Sequence, residues 1–321
     1  MCSQSLVSII VVTYNSEATI IETLDSVKNQ TYNDIELIIS DDCSSDDTIL
    51  LCREWLDRNQ HRFVETKLVT SLENTGISAN LNRGVSKSTG YWIKSIAGDD
   101  ILLDECIEKN VAYMKHHPDF EILFSKCYMF NEKDGRHNIF GTLPTKEGVE
   151  FLNLTTEEQV IVLYYAVFVP SPTCFIKRSL CDRFCYDERY PAFEDSPFFI
   201  KLAENGVHLN FMDEYTVKYR FADSSSHPST KLENERLWQS YIKYFYEDTI
   251  GKIIDKYPII YRYKKARIKL SEFRIYVLGN KPSFLNRILS FIYRLLLYKD
   301  LSIDQRRAIE IAKQYIANEK K

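Results

Sequence analysis

The stretch Tyr91-Trp92-Ile93-Lys94-Ser95-Ile96-Ala97-Gly98-Asp99-Asp100-Ile101-Leu102-Leu103-Asp104-Glu105 carries an apolar run into two adjacent carboxylates, with one glycine between. Like charges a few ångströms apart repel unless a cation lies between them and a ligand, so a strand that ends on such a pair suits a divalent ion carrying a phosphate. The same pair also suits the first turn of a helix, where acids favour the positive end of the dipole. The rest of the chain bears on the choice.

Toward the N-terminus, Val7-Ser8-Ile9-Ile10-Val11-Val12 is too short and too β-branched to prefer helix, and it ends at Thr13-Tyr14-Asn15-Ser16. It reads as a buried parallel strand. Ile20, Ile21, Leu24 and Val27 then recur at helical spacing, and Asn29-Gln30-Thr31-Tyr32 breaks the pattern. A second strand, Ile35 to Ser40, runs into Asp41-Asp42-Cys43-Ser44-Ser45-Asp46-Asp47-Thr48 and a helix over 49–59. Asp46 and Asp47 suit the cap of that helix. A third strand, Lys67 to Thr70, leads to Asn74-Thr75-Gly76, a helix over 78–86 and the opening stretch.

Such alternation specifies an α/β fold whose mostly parallel sheet is flanked by helices on both faces. Ligands of these sheets bind outside the carboxyl ends of the strands, where the polar clusters fall here. No Gly-x-Gly-x-x-Gly follows the first strand and no Walker phosphate loop is present, which argues against a dinucleotide fold or a P-loop enzyme.

In order and spacing, SIIVVTYN, ELIISDDCSSDDT, NTGISANLNRG and GYWIKSIAGDD resemble the nucleotide-sugar domain of glycosyltransferase family 2. The resemblance implies the Rossmann-like GT-A fold with a C-terminal helical region, and inverting transfer of a sugar from a nucleotide diphosphate to a hydroxyl. It implies that Tyr14 stacks on the donor base and that Asp42, with Asp41 beside it, accepts a hydrogen bond from the base ring. Thr13, Asn15, Asn74 and Gly76 line the same pocket. Asp99 then lies near the ribose or the outer shell of a metal, and Asp100 is the direct ligand of Mn²⁺ or Mg²⁺, hard ions suited to carboxylates. His227 is a further, isolated candidate for the metal shell.

An inverting transfer needs a base for the acceptor hydroxyl. The segment Tyr190-Pro191-Ala192-Phe193-Glu194-Asp195-Ser196-Pro197-Phe198-Phe199 resembles the family's acidic pair at a helix start, with Asp195 as the base and Glu194 as the alternative. Two departures stand out. The family's arginine position is Leu81, leaving Arg83 as the nearest guanidinium, and the Gln-x-x-Arg-Trp element of processive members is absent, so one sugar per acceptor is expected.

The chain has 321 residues, 45% of them apolar, enough for a large domain and a smaller second part. The expected division is residues 1–225 for nucleotide-sugar binding and catalysis, and 226–321 for a basic helical region. Eight cysteines without metal spacing, of which Cys181 and Cys185 are the only close pair, read as reduced thiols of a cytoplasmic protein without a signal peptide. Residues 222–321 hold 20 Lys plus Arg against 11 Asp plus Glu, and residues 1–221 hold 21 against 34, which gives +9 and −13 and accounts for the net −4.

That asymmetry points to an anionic surface or a phosphate-bearing acceptor, with no nucleic acid expected. Helical patterns run over 237–252, 257–277 and 284–298, the last too short and too charged to span a bilayer. It suits either an anionic membrane surface or packing on the sheet domain. The function expected is metal-dependent transfer of one hexose or N-acetylhexosamine from a UDP-sugar to a glycan or polyprenyl-diphosphate-linked acceptor, on the inner face of the plasma membrane, in O-antigen, capsular or related surface polysaccharide assembly. The alternatives are a nucleotidyltransferase of the same fold, disfavoured because no Gly-rich loop with Arg and Lys follows the first strand, and an inactive glycan-binding protein.

Overall fold

Branched apolar residues that are buried on both faces have only one regular home, the middle of a covered sheet. Strands β1 (Val7–Thr13) and β2 (Ile35–Asp41) are buried at every position. In a computed structural model of the chain, which describes residues 5–165, 169–221, 235–279, 283–286, 288–289 and 301–319, β1 lies between β2 and β4 (Trp92–Ala97), and β2 carries β3 (Glu65–Thr70), all parallel. Helices α1 (Ile20–Lys28), α2 (Thr48–Asn59) and α3 (Ile77–Lys87) make the crossovers.

The strand period of two then sorts the side chains. Val7, Ile9 and Val11 enter one core with Leu24, Val27 and Trp55, while Ile10, Val12 and Ile38 enter the other with Leu81, Val85 and Phe199. Gly84 of α3 lets that helix lie directly on the sheet, since a Cβ there would fall 2.4 Å from Ile10 Cγ2.

Register decides the geometry that matters for function. Thr13 pairs with Asp41, Asp41 with Thr70, and Val12 with Ala97, so four parallel strands end level and release their loops on one rim. Beyond β4 come β5 (Ile101–Leu102), β6 (Ile122–Lys133), β7 (Arg136–Leu143), β8 (Phe175–Lys177) and β9 (Asn210–Arg220). The nine strands run β3-β2-β1-β4-β8-β6-β9-β5, with β7 hung on β6. The half from β3 to β4 is parallel as expected, and the other half is mixed: β8 runs antiparallel to β4 and β6, and β6 runs parallel to β9.

The helices after residue 234 share the main core. Glu235–Tyr244 and Pro258–Glu272 are each followed by a five-residue π turn, Phe245–Thr249 and Phe273–Val277. Helix Leu301–Glu319 lies on the helix Thr156–Tyr165, burying Ala308, Ile309 and Ala312 in the cluster that holds Ile161 and Val162. Tyr315 meets Tyr257 edge to face at 4.9 Å. This last helix is therefore part of the core. The segment 284–298 lies mostly outside the described residues; of those described, Phe284, Leu285 and Ile288 are exposed. Ile309→Ala is expected to lower the unfolding free energy by about 2–4 kcal/mol, read from the urea midpoint. A detached arm would lose nothing.

Candidate active site

The rim is held together by Asp42, whose carboxylate is buried and fully engaged. Its Oδ1 accepts from Thr75 N (3.1 Å), Thr75 Oγ1 (2.6 Å) and Arg83 Nη2 (3.2 Å), and its Oδ2 from Gly76 N (2.7 Å). Arg83 also donates to Asp41 O (3.2 Å), Asn80 Oδ1 (2.9 Å) and Thr75 Oγ1 (2.8 Å). The guanidinium nearest to the family's arginine position thus ties the 74–76 loop to the ends of β2 and α3. Asp41 binds the next loop through Ser44 N (2.9 Å) and the Ser44 hydroxyl. Asn15, at φ +50, receives Ser45 N on Oδ1 (2.8 Å) and donates its own N–H to Ser44 Oγ (2.8 Å), so it too ties two loops together.

What remains free is the face of Tyr14, 45% exposed at the end of β1. Thr13 Oγ1 is buried beside Gly98 and has no hydrogen-bond partner among the described residues. Asn74 Oδ1 accepts from Arg236 Nη1 (2.8 Å), which brings the first C-terminal helix to the same loop. Asp46, as expected, caps α2: Thr48 N donates to its Oδ1 (3.1 Å), whereas Asp47 makes no side-chain cap bond.

Asp99 and Asp100 occupy the bend between β4 and β5, and the two differ. Asp100 is 1% exposed and accepts Arg220 N on Oδ1 (2.8 Å). Asp99 is partly open, and its carbonyl accepts Arg220 Nε (2.7 Å). Burial raises both carboxyls above the usual range, and the charge of Asp99 pushes Asp100 higher still, while Arg220 opposes the rise. The Arg220 guanidinium also pairs with Glu22 and Glu132. Those two acids and His137 come close enough to share an ion, and Arg220 supplies one positive charge against their two negative ones. His227 lies outside the described residues.

The second acidic pair reaches the rim by a backbone junction. Ile77 N donates to Pro191 O (2.8 Å) and Ser78 Oγ to Tyr190 O (3.0 Å). Gly76, at φ +94, permits this approach, because a Cβ would stand 2.4 Å from Pro191 O. Arg189 and Tyr190 are gripped from the other side by Asp248, at 2.6 and 2.8 Å. Glu194 then precedes the helix Asp195–Glu204, and Ser171 Oγ donates to Asp195 Oδ2 (2.5 Å). Burial pushes Glu194 up to about 8, helped by the charge of Asp195, and pushes Asp195 up to about 6, with the Ser171 hydroxyl pulling it back. Burial raises the Tyr219 phenol, and the charges of Asp100, Asp99 and Asp195 raise it further.

Ser171 and the placement of Tyr219 were not visible in the sequence. The run Pro170-Ser171-Pro172 signals a rigid turn there, but not what it faces.

A family model, Glycosyl transferase family 2, matches residues 8–184. The chain belongs to that family. An uncharacterized glycosyltransferase of Methanocaldococcus jannaschii is 24% identical over 74% of this chain and 77% of its own length. Minor teichoic acid biosynthesis protein GgaB of Bacillus subtilis is 21% identical over 80% of this chain but only 28% of its own length. Among solved structures, S. aureus TarS 1-349 in complex with UDP-GlcNAc superposes with a TM-score of 0.58 at 19% identity, covering 98% of this chain and 92% of that one. The mannosyltransferase PcManGT from Pyrobaculum calidifontis, in complex with GDP-Man and Mn²⁺, gives 0.54 at 18% identity, over 97% and 85%. The protein is a glycosyltransferase of GT-A fold, and no helix among its described residues is long and apolar enough to cross a membrane.

If Asp42 organises the donor loop, Asp42→Ala in this transferase strands the Gly76 and Thr75 donors at a cost of roughly 1–3 kcal/mol. Urea unfolding should show that loss, and calorimetric titration with UDP should show no binding.

Proposed function

We propose that the protein transfers one hexose or N-acetylhexosamine from a UDP-sugar to a hydroxyl of a lipid-linked glycan acceptor, with inversion, Asp195 acting as the base. The observation that carries this reading is that β4 brings one acidic pair, Asp99 and Asp100, to the strand-end rim, while the Gly76–Pro191 junction joins the segment of a second pair, Glu194 and Asp195, to the same rim. One pair suits charge neutralisation and the other proton abstraction. The fold neighbours solved with UDP-GlcNAc and with GDP-Man support a nucleotide-sugar donor, and the teichoic acid relative supports a surface polymer as the setting.

Tyr14 offers a flat exposed ring for the uracil, and Thr13 Oγ1 an unused donor beside it. Arg83 and Arg220, the guanidiniums set among the strand ends, are committed to protein oxygens, so an added cation fits the diphosphate charge. Mn²⁺ or Mg²⁺ suits the hard oxygens of Asp99 and Asp100 and would supply Lewis-acid neutralisation of the leaving diphosphate. Because Asp100 Oδ1 already receives the Arg220 N–H, we assign Asp99 the leading role as ligand and Asp100 the supporting one, the reverse of the order that the family resemblance implies.

On the acceptor side, the Ser171 hydroxyl favours the ionised form of Asp195, while Glu194 keeps its proton at neutral pH. Asp195 therefore takes the proton from the incoming hydroxyl. Since the base must be ionised, UDP release from a UDP-sugar should fall as pH drops through about 6. Asp195→Asn should leave UDP affinity unchanged, lower turnover roughly 10²-fold or more and abolish that acid limb. If Glu194→Gln does this instead, the base is Glu194.

Asp99→Ala should remove the dependence on added Mn²⁺ together with most turnover, and full activity of the wild type in excess EDTA would refute the metal assignment.

Phe273, Tyr276, Val277, Phe284, Leu285 and Ile288 are exposed within the basic C-terminal part. We assign them to docking on an anionic leaflet, where each nearby Lys or Arg adds about 1 kcal/mol at low salt. The protein should sediment with phosphatidylglycerol vesicles and not with phosphatidylcholine, and Phe284→Glu with Leu285→Glu should release it while leaving UDP-sugar turnover intact.

A further inference from the structure

Lys94 lies in the middle of β4 with its side chain wholly buried, one of the largest such side chains in the molecule. A buried ammonium carries a desolvation penalty of several kcal/mol, so its partners show what it is for. Its Nζ donates to Pro172 O and to Cys174 O (3.3 Å). These carbonyls bracket the turn Ser171–Thr173, which is otherwise closed by Thr173 N and Thr173 Oγ1 on Pro170 O, both at 2.8 Å. The outer residue of that turn, Ser171, donates to Asp195 Oδ2 at 2.5 Å. The chain of contacts thus runs from the strand that ends in Asp99 and Asp100, through one ammonium, to the hydroxyl on the other acidic pair.

We propose that Lys94 is a positioning residue for the reaction, fixing the Ser171 turn on Asp195 and so setting the base relative to the donor acids that the same strand carries. The proposal rests on the assignment of Asp195 as base. The groups facing Lys94 are Asp100 and the thiols of Cys106, Cys127 and Cys174. Those facing Asp195 are Glu194, Ser171, Cys174, Tyr186 and Tyr219. Pro172 has no N–H, so its only backbone polar group is the carbonyl that accepts from Lys94. Methionine of similar length fills the space but donates nothing, so the Pro172 and Cys174 carbonyls lose that donor and the turn is held by Ser125 N on Thr173 Oγ1 (3.1 Å) and by its own internal bonds. A displacement of about 1 Å near a reacting group costs up to 10²-fold.

The test measures UDP affinity by titration with UDP, and UDP release from UDP-N-acetylglucosamine or UDP-glucose, whichever is turned over faster, across pH. The enzymes are the full-length wild type, Lys94→Met, Lys94→Arg, Ser171→Ala and Lys94→Met with Ser171→Ala. Lys94→Met should keep UDP affinity within about twofold, lower kcat roughly ten- to a hundredfold and move the acid limb to higher pH, because the hydroxyl that favours ionised Asp195 is no longer held there. Ser171→Ala should show the same limb shift, the double variant should lose no more than Lys94→Met alone, and Lys94→Arg should recover part of the rate. Folded Lys94→Met with an unmoved limb and rate overturns the proposal. If Lys94→Met does not fold, Ser171→Ala and Lys94→Arg decide, and an unmoved limb in both overturns it. A wild-type acid limb that persists in Asp195→Asn refutes the base assignment first, and this inference with it.

Discussion

Everything functional in this molecule depends on two backbones meeting without a side chain between them. Gly76 passes against Pro191 so closely that any other residue would collide with the carbonyl that Ile77 N needs. On one side of that meeting stands the loop folded around Asp42, and on the other the segment that carries Glu194 and Asp195. Glycine is required twice over there, for the space and for φ +94, a region that other residues enter only at a cost.

The two acidic pairs show how burial assigns different work to the same functional group. Asp99 and Asp100 are adjacent, and the buried Asp100 has Arg220 and Lys94 as the positive groups that act on it. Glu194 and Asp195 are partly buried, and the Ser171 hydroxyl on Asp195 together with the charge of Asp195 on Glu194 sets their proton affinities apart. The first arrangement suits a cation; the second suits holding one proton and taking up another.

Much of the donor half was legible in the sequence because short branched runs that end in polar clusters leave few architectures open. The registers confirm that those clusters share one rim. Strands β6 to β9 were not legible. The β6 sequence Ile-Leu-Phe-Ser-Lys-Cys-Tyr-Met-Phe-Asn-Glu-Lys mixes polar and aromatic residues without a clean period, and its partner β9 lies about ninety residues away. Arg83 entered as a nucleotide-sugar-binding candidate only as the guanidinium nearest to the family's arginine position, and its bonds to Asp41, Asp42, Thr75 and Asn80 were not legible in the sequence. Lys94 stood in plain view as a charge inside a buried strand, the kind of local conflict that marks a site under other constraints.

The grip of Asp248 on Arg189 and Tyr190 has a consequence for the order in which the enzyme becomes competent during synthesis. The four parallel strands and their loops are complete by Asp100, and domains tend to fold from the N-terminal end as the chain emerges. A nascent chain can therefore shape its strand-end rim early, while the segment bearing Asp195 still lacks the carboxylate that anchors it. Only when the helices beyond residue 244 have left the ribosome can that segment be fixed against the rim, so an incomplete chain holds one half of the candidate site without the other.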